Sequence, residues 1–153
     1  MEQEDKKQAV IDFLKTQFVM SIATVNGDKP SSSVVLYVVD DACSFYFVTH
    51  AGSYKEKFLS ANPAISGSVW EHKKMLVQLD GEAFPITDAK EREWLQNEFA
   101  KAVTSHPDFW PPLLQIASEQ YVMFKITPTW MRALDLSHDT VSLNASPFCE
   151  ITL

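Results

Sequence analysis

The sequence predicts a mainly β fold with helical additions, its antiparallel strands closing into a barrel or sandwich. Three observations lead there. Short runs rich in β-branched and aromatic residues recur along the chain, as in Ser44-Phe45-Tyr46-Phe47-Val48-Thr49. Tight turn signals such as Asn26-Gly27 join successive runs, which favours antiparallel pairing. The 153 residues, 46% of them hydrophobic and 12% aromatic, can fill the core of one domain without disulfide staples.

The elements follow in order. Residues 8–18 carry Val10, Phe13, Leu14 and Phe18 at helical spacing. Strands are expected over 19–25, 32–39 and 44–49, with turns at Asn26-Gly27-Asp28-Lys29-Pro30 and at Asp40-Asp41-Ala42. A short helix over 53–60 stops before Asn62-Pro63, because the residue preceding proline avoids the helical region. Strands over 64–70 and 75–84 come next, linked by the charged Glu71-His72-Lys73-Lys74. Asp88-Ala89-Lys90-Glu91 has the pattern of a capping box, and the helix it opens bears Trp94, Leu95, Phe99, Ala102 and Val103 as a packing stripe. Three prolines between His106 and Pro112 end that helix, and a short helical piece over 113–118 completes an insertion spanning about 88–118. Strands over 121–127 and 130–136 finish the body, with an edge strand over 148–153. No repeat, linker or low-complexity stretch divides the chain, so 1–153 reads as a single domain.

Composition narrows the function. A net charge of −7 argues against a general nucleic-acid binder, which needs a basic face to displace counterions. Cys43 and Cys149 form no CxxC pair, and His50, His72, His106 and His138 have no metal-ligand spacing, so no metal site is expected. Cys43 has no basic neighbour to activate it as a nucleophile. The polar start of the chain is unlike a signal peptide, and its longest apolar run, 34–39, is too short to cross a bilayer. The expectation is a soluble cytoplasmic protein without membrane or nucleic-acid partners.

The segment with most chemistry is Thr49-His50-Ala51-Gly52-Ser53-Tyr54-Lys55-Glu56-Lys57. Ser53 through Glu56 fits the capping box S-x-x-E, with Ser53 as N-cap and Glu56 reaching back to it. Lys55 fits that picture less well, since a cation in the first turn opposes the helix dipole. Two readings of Lys55 stand. It is a solvated surface residue, or it joins free helix amides and the Ser53 or Thr49 hydroxyl around one anion. The charge count leans to the second. Residues 49–76 hold Lys55, Lys57, Lys73 and Lys74 against Glu56 and Glu71, a net +2 that leaves −9 for the rest.

The order of these residues resembles the pyridoxamine 5′-phosphate oxidase-like family. The likeness is carried by Ser21-Ile22-Ala23-Thr24-Val25, Gly27-Asp28-Lys29-Pro30, Phe45 to Thr49, Ser53-Tyr54-Lys55, Leu59, Asn62-Pro63, Trp70 and Val77 to Ala83. It covers about residues 17–84 well and the last strands weakly. The resemblance implies a split β-barrel of six to seven antiparallel strands, Greek-key in type, with FMN as cofactor in a homodimer. Carried over by position, Thr49, Ser53, Tyr54 and Lys55 would surround the FMN phosphate. Ser33, Val34, Val35 and Leu36 would run along the isoalloxazine ring. Leu76 falls where many relatives place a glutamine near that ring, and Trp130 or Arg132 would approach from the partner subunit.

Departures from the pattern have consequences of their own. Ser33 and Tyr54 stand where the vitamin-making oxidases place arginines, and Val38 where they place a substrate-contacting lysine. Their C-terminal Arg-x-His segment has no counterpart. The resemblance is therefore to the general-stress-type branch rather than to the true oxidase. It implies an FMN-dependent oxidoreductase acting on an unidentified small molecule, with no catalytic side chain assigned. The alternative is a non-catalytic or weakly catalytic protein that binds or senses flavin, haem or another planar ligand on the same fold.

Overall fold

A computed structural model of the chain describes residues 2–105, 120–137 and 147–153. Among these residues three helices and seven strands follow one another. They are α1 (Gln3–Lys15), β1 (Val19–Asn26), β2 (Lys29–Val39), β3 (Phe45–His50), α2 (Tyr54–Ala61), β4 (Ala64–Glu71), β5 (Met75–Pro85), α3 (Ala89–Ser105), β6 (Tyr121–Asp135) and β7 (Cys149–Glu150).

All strand pairings are antiparallel, in the order β3-β2-β1-β4-β5-β6-β7. β3 also pairs with β6, Phe47 opposite Phe124, so six strands close into a ring and β7 adds to its outside. This is the split barrel that the sequence led us to expect. Alternation along each strand sends one set of side chains inward. Met20 and Ile22 of β1, Val35, Tyr37 and Val39 of β2, and Phe45 and Phe47 of β3 meet Val77, Leu79, Phe124, Ile126 and Met131 there. Phe47 and Phe124 stack at 5.3 Å between ring centroids. Helix α1 adds Val10, Ile11, Phe13 and Leu14 to this core, and the Tyr37 hydroxyl donates to the Leu14 carbonyl at 2.6 Å.

A second cluster lies outside the ring. Leu95 and Phe99 of α3 pack with Ile86, Tyr46 and Met123, and onto Leu36, Val38 and Val48. The apolar stripe read along α3 is thus packing surface. Trp94 meets the Tyr46 ring edge-on at 4.9 Å. Asp88 caps the helix, its carboxylate accepting the Glu91 amide at 2.9 Å.

Several expectations are corrected. Helix α1 begins at Gln3 rather than residue 8, because its charged first turn is as helical as its apolar stripe. β2 starts at Lys29 and takes in Pro30. The first hairpin closes with Asn26 paired to Lys29, so Gly27 and Asp28 are the turn residues and Asn26 is the last residue of its strand. Gly27 has φ +66° and Asp28 lies outside the left-handed region, the requirement of a type II′ turn. The two strands read over 121–127 and 130–136 are one strand, β6. A bulge opposite Asp80 and Gly81 accommodates Pro128 and Thr129 without ending the ladder. Gly81 is needed there, since a Cβ would sit 2.4 Å from the Thr127 carbonyl oxygen. β7 is two residues long, shorter than the edge strand expected. The helical piece over 113–118, the Pro-rich segment before it and the Val103 side chain lie outside what is described.

Helix α3 packs on the outer face of β3, on Leu36 and Val38 of β2 and on Met123 of β6, and it leaves bare the outer face of β1, β4 and β5 and of β2 at Val34. The register sets Leu36 beside Val19, and Trp70 beside Leu76 beside Leu134, in one outward row. The neighbouring row holds Val34, Ser21, Ser68, Gln78 and Arg132. Val34 is 64% exposed and Trp70 59%. Among the described residues no helix is long and apolar enough to cross a membrane.

Candidate functional site

Strand β3 ends at His50, and a left-handed Gly52 (φ +80°) turns the chain into α2. This turn folds Thr49 against Ser53, with 3.0 Å between their hydroxyl oxygens. Ser53 is the N-cap, and its hydroxyl accepts the Glu56 amide at 3.2 Å. Glu56 reaches one residue further back than a simple capping box requires, accepting the Gly52 amide at 2.9 Å. The Ser53 amide instead donates to the His50 carbonyl at 3.1 Å. The first amides of α2, at Tyr54 and Lys55, have no intrahelical acceptor and add partial positive charge at this end.

Lys55 is half-buried and makes no salt bridge among the described residues. Glu56, its closest acid in sequence, is engaged with Gly52. Two hydroxyls, free amides and an unpaired ammonium thus belong to one turn, an arrangement chemically suited to an anion with several oxygens. Tyr54 is the first residue of α2. It is 76% exposed, its ring stacked on Phe58 at 5.7 Å with the Lys57 ammonium 5.8 Å from its centroid.

The positive island read from residues 49–76 does not survive in space as one patch. Lys55 and Lys57 lie on α2, ahead of β4, while Lys73 and Lys74 sit in the hairpin beyond it. At about 3.3 Å per residue the eight residues of β4 run roughly 25 Å from the end that follows α2 to the hairpin. Lys74 is moreover bound to Glu71 at 2.9 Å. That contact and a hydrogen bond from Gln17 hold the Glu71 carboxyl below its usual range. Of these four lysines, Lys55 and Lys57 are the two on the helix that Ser53 caps.

The other predicted residues occupy the sheet. Ser33 is half-buried, Val34 faces solvent, Val35 lies in the core and Leu36 packs under α3. Leu76 is half-buried on the outward face of β5. Trp130 lies on the same face of β6, its indole N–H donating to Glu150 at 3.3 Å. The chain thus unites Thr49, Ser53 and Lys55 in one turn and sets Val34, Leu76 and Trp130 on one outer sheet face.

Two arrangements escaped the sequence reading. A groove of about 1010 Å³ runs between the end of β2, the β2–β3 turn and α3, walled by Tyr37, Val38, Tyr46 and Trp94. At its floor Tyr46 donates to Asp40 at 3.0 Å, and burial and this carboxylate raise the phenol's pKa. No predicted site residue lines it. The second is Arg132, whose Nε donates to the Gln78 carbonyl oxygen at 2.8 Å across β5 and β6. Alternation along the two strands hints at such a pair, but only their register makes it visible.

With this geometry established, the chain was compared with known proteins. It is 33% identical over 91 residues to a dihydrophenazinedicarboxylate synthase of Pseudomonas chlororaphis, covering 58% of this chain and 39% of that protein. The chain therefore spans about two fifths of that curated relative's length. Among solved structures it is similar to a FAD-binding protein of Mesorhizobium loti, with 23% identity, TM-score 0.65, and 80% and 88% of the two chains covered. It is also similar to General Stress Protein 26 of Bacillus anthracis, with 21% identity, TM-score 0.66, and 84% and 92% covered. At these identities the structural likenesses establish the fold. The pyridoxamine 5′-phosphate oxidase model matches residues 7–135, from α1 to the end of β6, and by that match the chain belongs to the pyridoxamine 5′-phosphate oxidase family.

Proposed function

We propose that the protein is a flavin-dependent oxidoreductase that binds FMN and acts, as a homodimer, on a small molecule. The observation that carries this reading is the turn joining Thr49, Ser53 and Lys55. Its paired hydroxyls, free amides and unpaired ammonium suit a phosphate monoester. Family membership and the flavin-binding relative of the same fold support it.

Bound FMN would supply a reversible acceptor of a hydride or of single electrons. The chain's own part is position and electrostatics. Thr49 and Ser53 fix the phosphate end, with Lys55 balancing its charge. The backbone of residues 33–36 offers amide and carbonyl groups to the ring's polar edge, Leu76 provides an apolar surface beside it, and Trp130 approaches from the second copy. That copy would cover the outer face at the exposed Val34 and Trp70, with the half-buried Val19 beside them.

A second reading is favoured by two positions. Ser33 and Tyr54 supply no positive charge, and Tyr54 is 76% exposed. A protein that holds a flavin or another planar ligand loosely, without turnover, would have this composition. NAD(P)H oxidation in air, followed with and without added FMN, separates the two. Steady FMN-dependent oxidation is the result expected of the oxidoreductase. A stable flavin complex with no turnover by any reductant supports the binding protein instead.

A further inference from the structure

The outward face of β5 and β6 carries an arginine held in one orientation with its recognition edge unused. The Arg132 guanidinium lies 3.8 Å from the Phe148 ring centroid and 5.6 Å from that of Trp130. Its Nε is committed to Gln78 at 2.8 Å. The acid best placed to neutralise it is Glu150, directly opposite in the β6–β7 register. Glu150 instead accepts the Trp130 indole N–H at 3.3 Å. Among the described residues Arg132 makes no salt bridge, and its two terminal nitrogens have no partner.

A guanidinium stacked on aromatic rings and steered through Nε has lost much of its rotamer freedom before any ligand arrives. The free edge presents two parallel N–H donors, which match the two oxygens of a carboxylate. The surroundings define the rest of the ligand. One row along the sheet lie Leu134 and Leu76, an apolar strip beside the charged fork, with Trp70 beyond them where the second copy would cover it. A molecule with a carboxylate at one end and a flat apolar body would satisfy both.

We infer that Arg132, positioned by Gln78 and the Phe148 and Trp130 rings, anchors the carboxylate of a planar aromatic or conjugated acid whose ring lies over Leu76. This deepens the oxidoreductase reading by naming a substrate class, and rests on that reading for calling the acid a substrate. Leu76 is also the residue set beside the flavin ring there, so the acid's ring would meet the cofactor.

The binding step is testable without flavin. The full-length, flavin-free protein is titrated with benzoate and, separately, with benzamide, which keeps the ring and loses the charge. Saturable benzoate binding is expected, with benzamide at least about tenfold weaker, and Arg132→Gln is expected to weaken benzoate by a similar factor. Equal affinity for the two probes overturns the inference, as does unchanged benzoate affinity in Arg132→Gln or no saturable benzoate binding to the unmodified protein. The probe pair on the unmodified chain decides the matter even if the variant folds poorly. FMN binding is read separately by flavin fluorescence, so failure of benzoate leaves the cofactor reading standing, and the converse holds.

Discussion

Cys43 occupies the left-handed backbone region (φ 66°), an uncommon place for a side chain, and is fully buried. Asp40 makes this possible, its carboxylate accepting the Ala42 and Ser44 amides at 3.0 and 2.8 Å on either side. The thiol lies 3.9 Å from the Met131 sulfur, and burial pushes its pKa from 9.0 up to about 11. An unfolded chain releases this proton near pH 9, while the native protein holds it until about pH 11. The neutral thiol's stabilisation is therefore complete below pH 9 and declines as the pH rises towards 11. Tyr37 and Tyr46, also raised by burial, add to the same alkaline loss from about pH 10 upward. Urea midpoints should accordingly fall between pH 8.5 and pH 10.5, values chosen on the order of one unit around the unfolded thiol's titration. A thiol reagent at neutral pH should modify Cys149 quickly and reach Cys43 only on unfolding. Two equally fast thiols would show that the β2–β3 turn opens in the native state.

Helix α2 separates a structural role from a binding one within three residues. Ser53→Ala removes the cap on the Glu56 amide and the partner of Thr49, and should cost about 1 kcal/mol of stability. Lys55→Ala removes an ammonium that opposes the helix dipole and should leave the flavin-free protein no less stable. Denaturant unfolding of both variants checks the pair, and an equal loss in each would show that Lys55 is structural. The Ser53 cap was legible in the sequence because it depends on residues within one turn. The continuity of β6 was not, because the bulge that tolerates Pro128 is set against Asp80 and Gly81, nearly fifty positions earlier. The Arg132–Gln78 pair was hidden for the same reason, being 54 residues apart. The hairpin was legible as a turn within residues 26–30, and the register narrowed it to Gly27 and Asp28.

At the scale of the whole molecule, charge summed along the chain misled where topology intervened. The +2 segment is two lysine pairs at opposite ends of β4, so the anion site rests on α2 alone. Exposed apolar side chains tell more. Val34 and Trp70 stand on an outer face that α3 leaves bare, and we propose that a second copy covers it. Sedimentation should give twice the 17.3 kDa chain mass, and Trp70→Glu should shift the equilibrium towards monomer. A monomer at all concentrations would remove the partner subunit from the site.

We propose that the Thr49–Ser53–Lys55 turn holds a flavin phosphate. Titrating flavin-free protein with FMN and with riboflavin, in the unmodified chain and in Lys55→Ala, tests it most directly. The account predicts saturable FMN binding weakened by about 1.5–3 kcal/mol in Lys55→Ala, with riboflavin, which lacks the phosphate, unaffected by the substitution. No saturable FMN binding, or the same FMN affinity in both proteins, would contradict it.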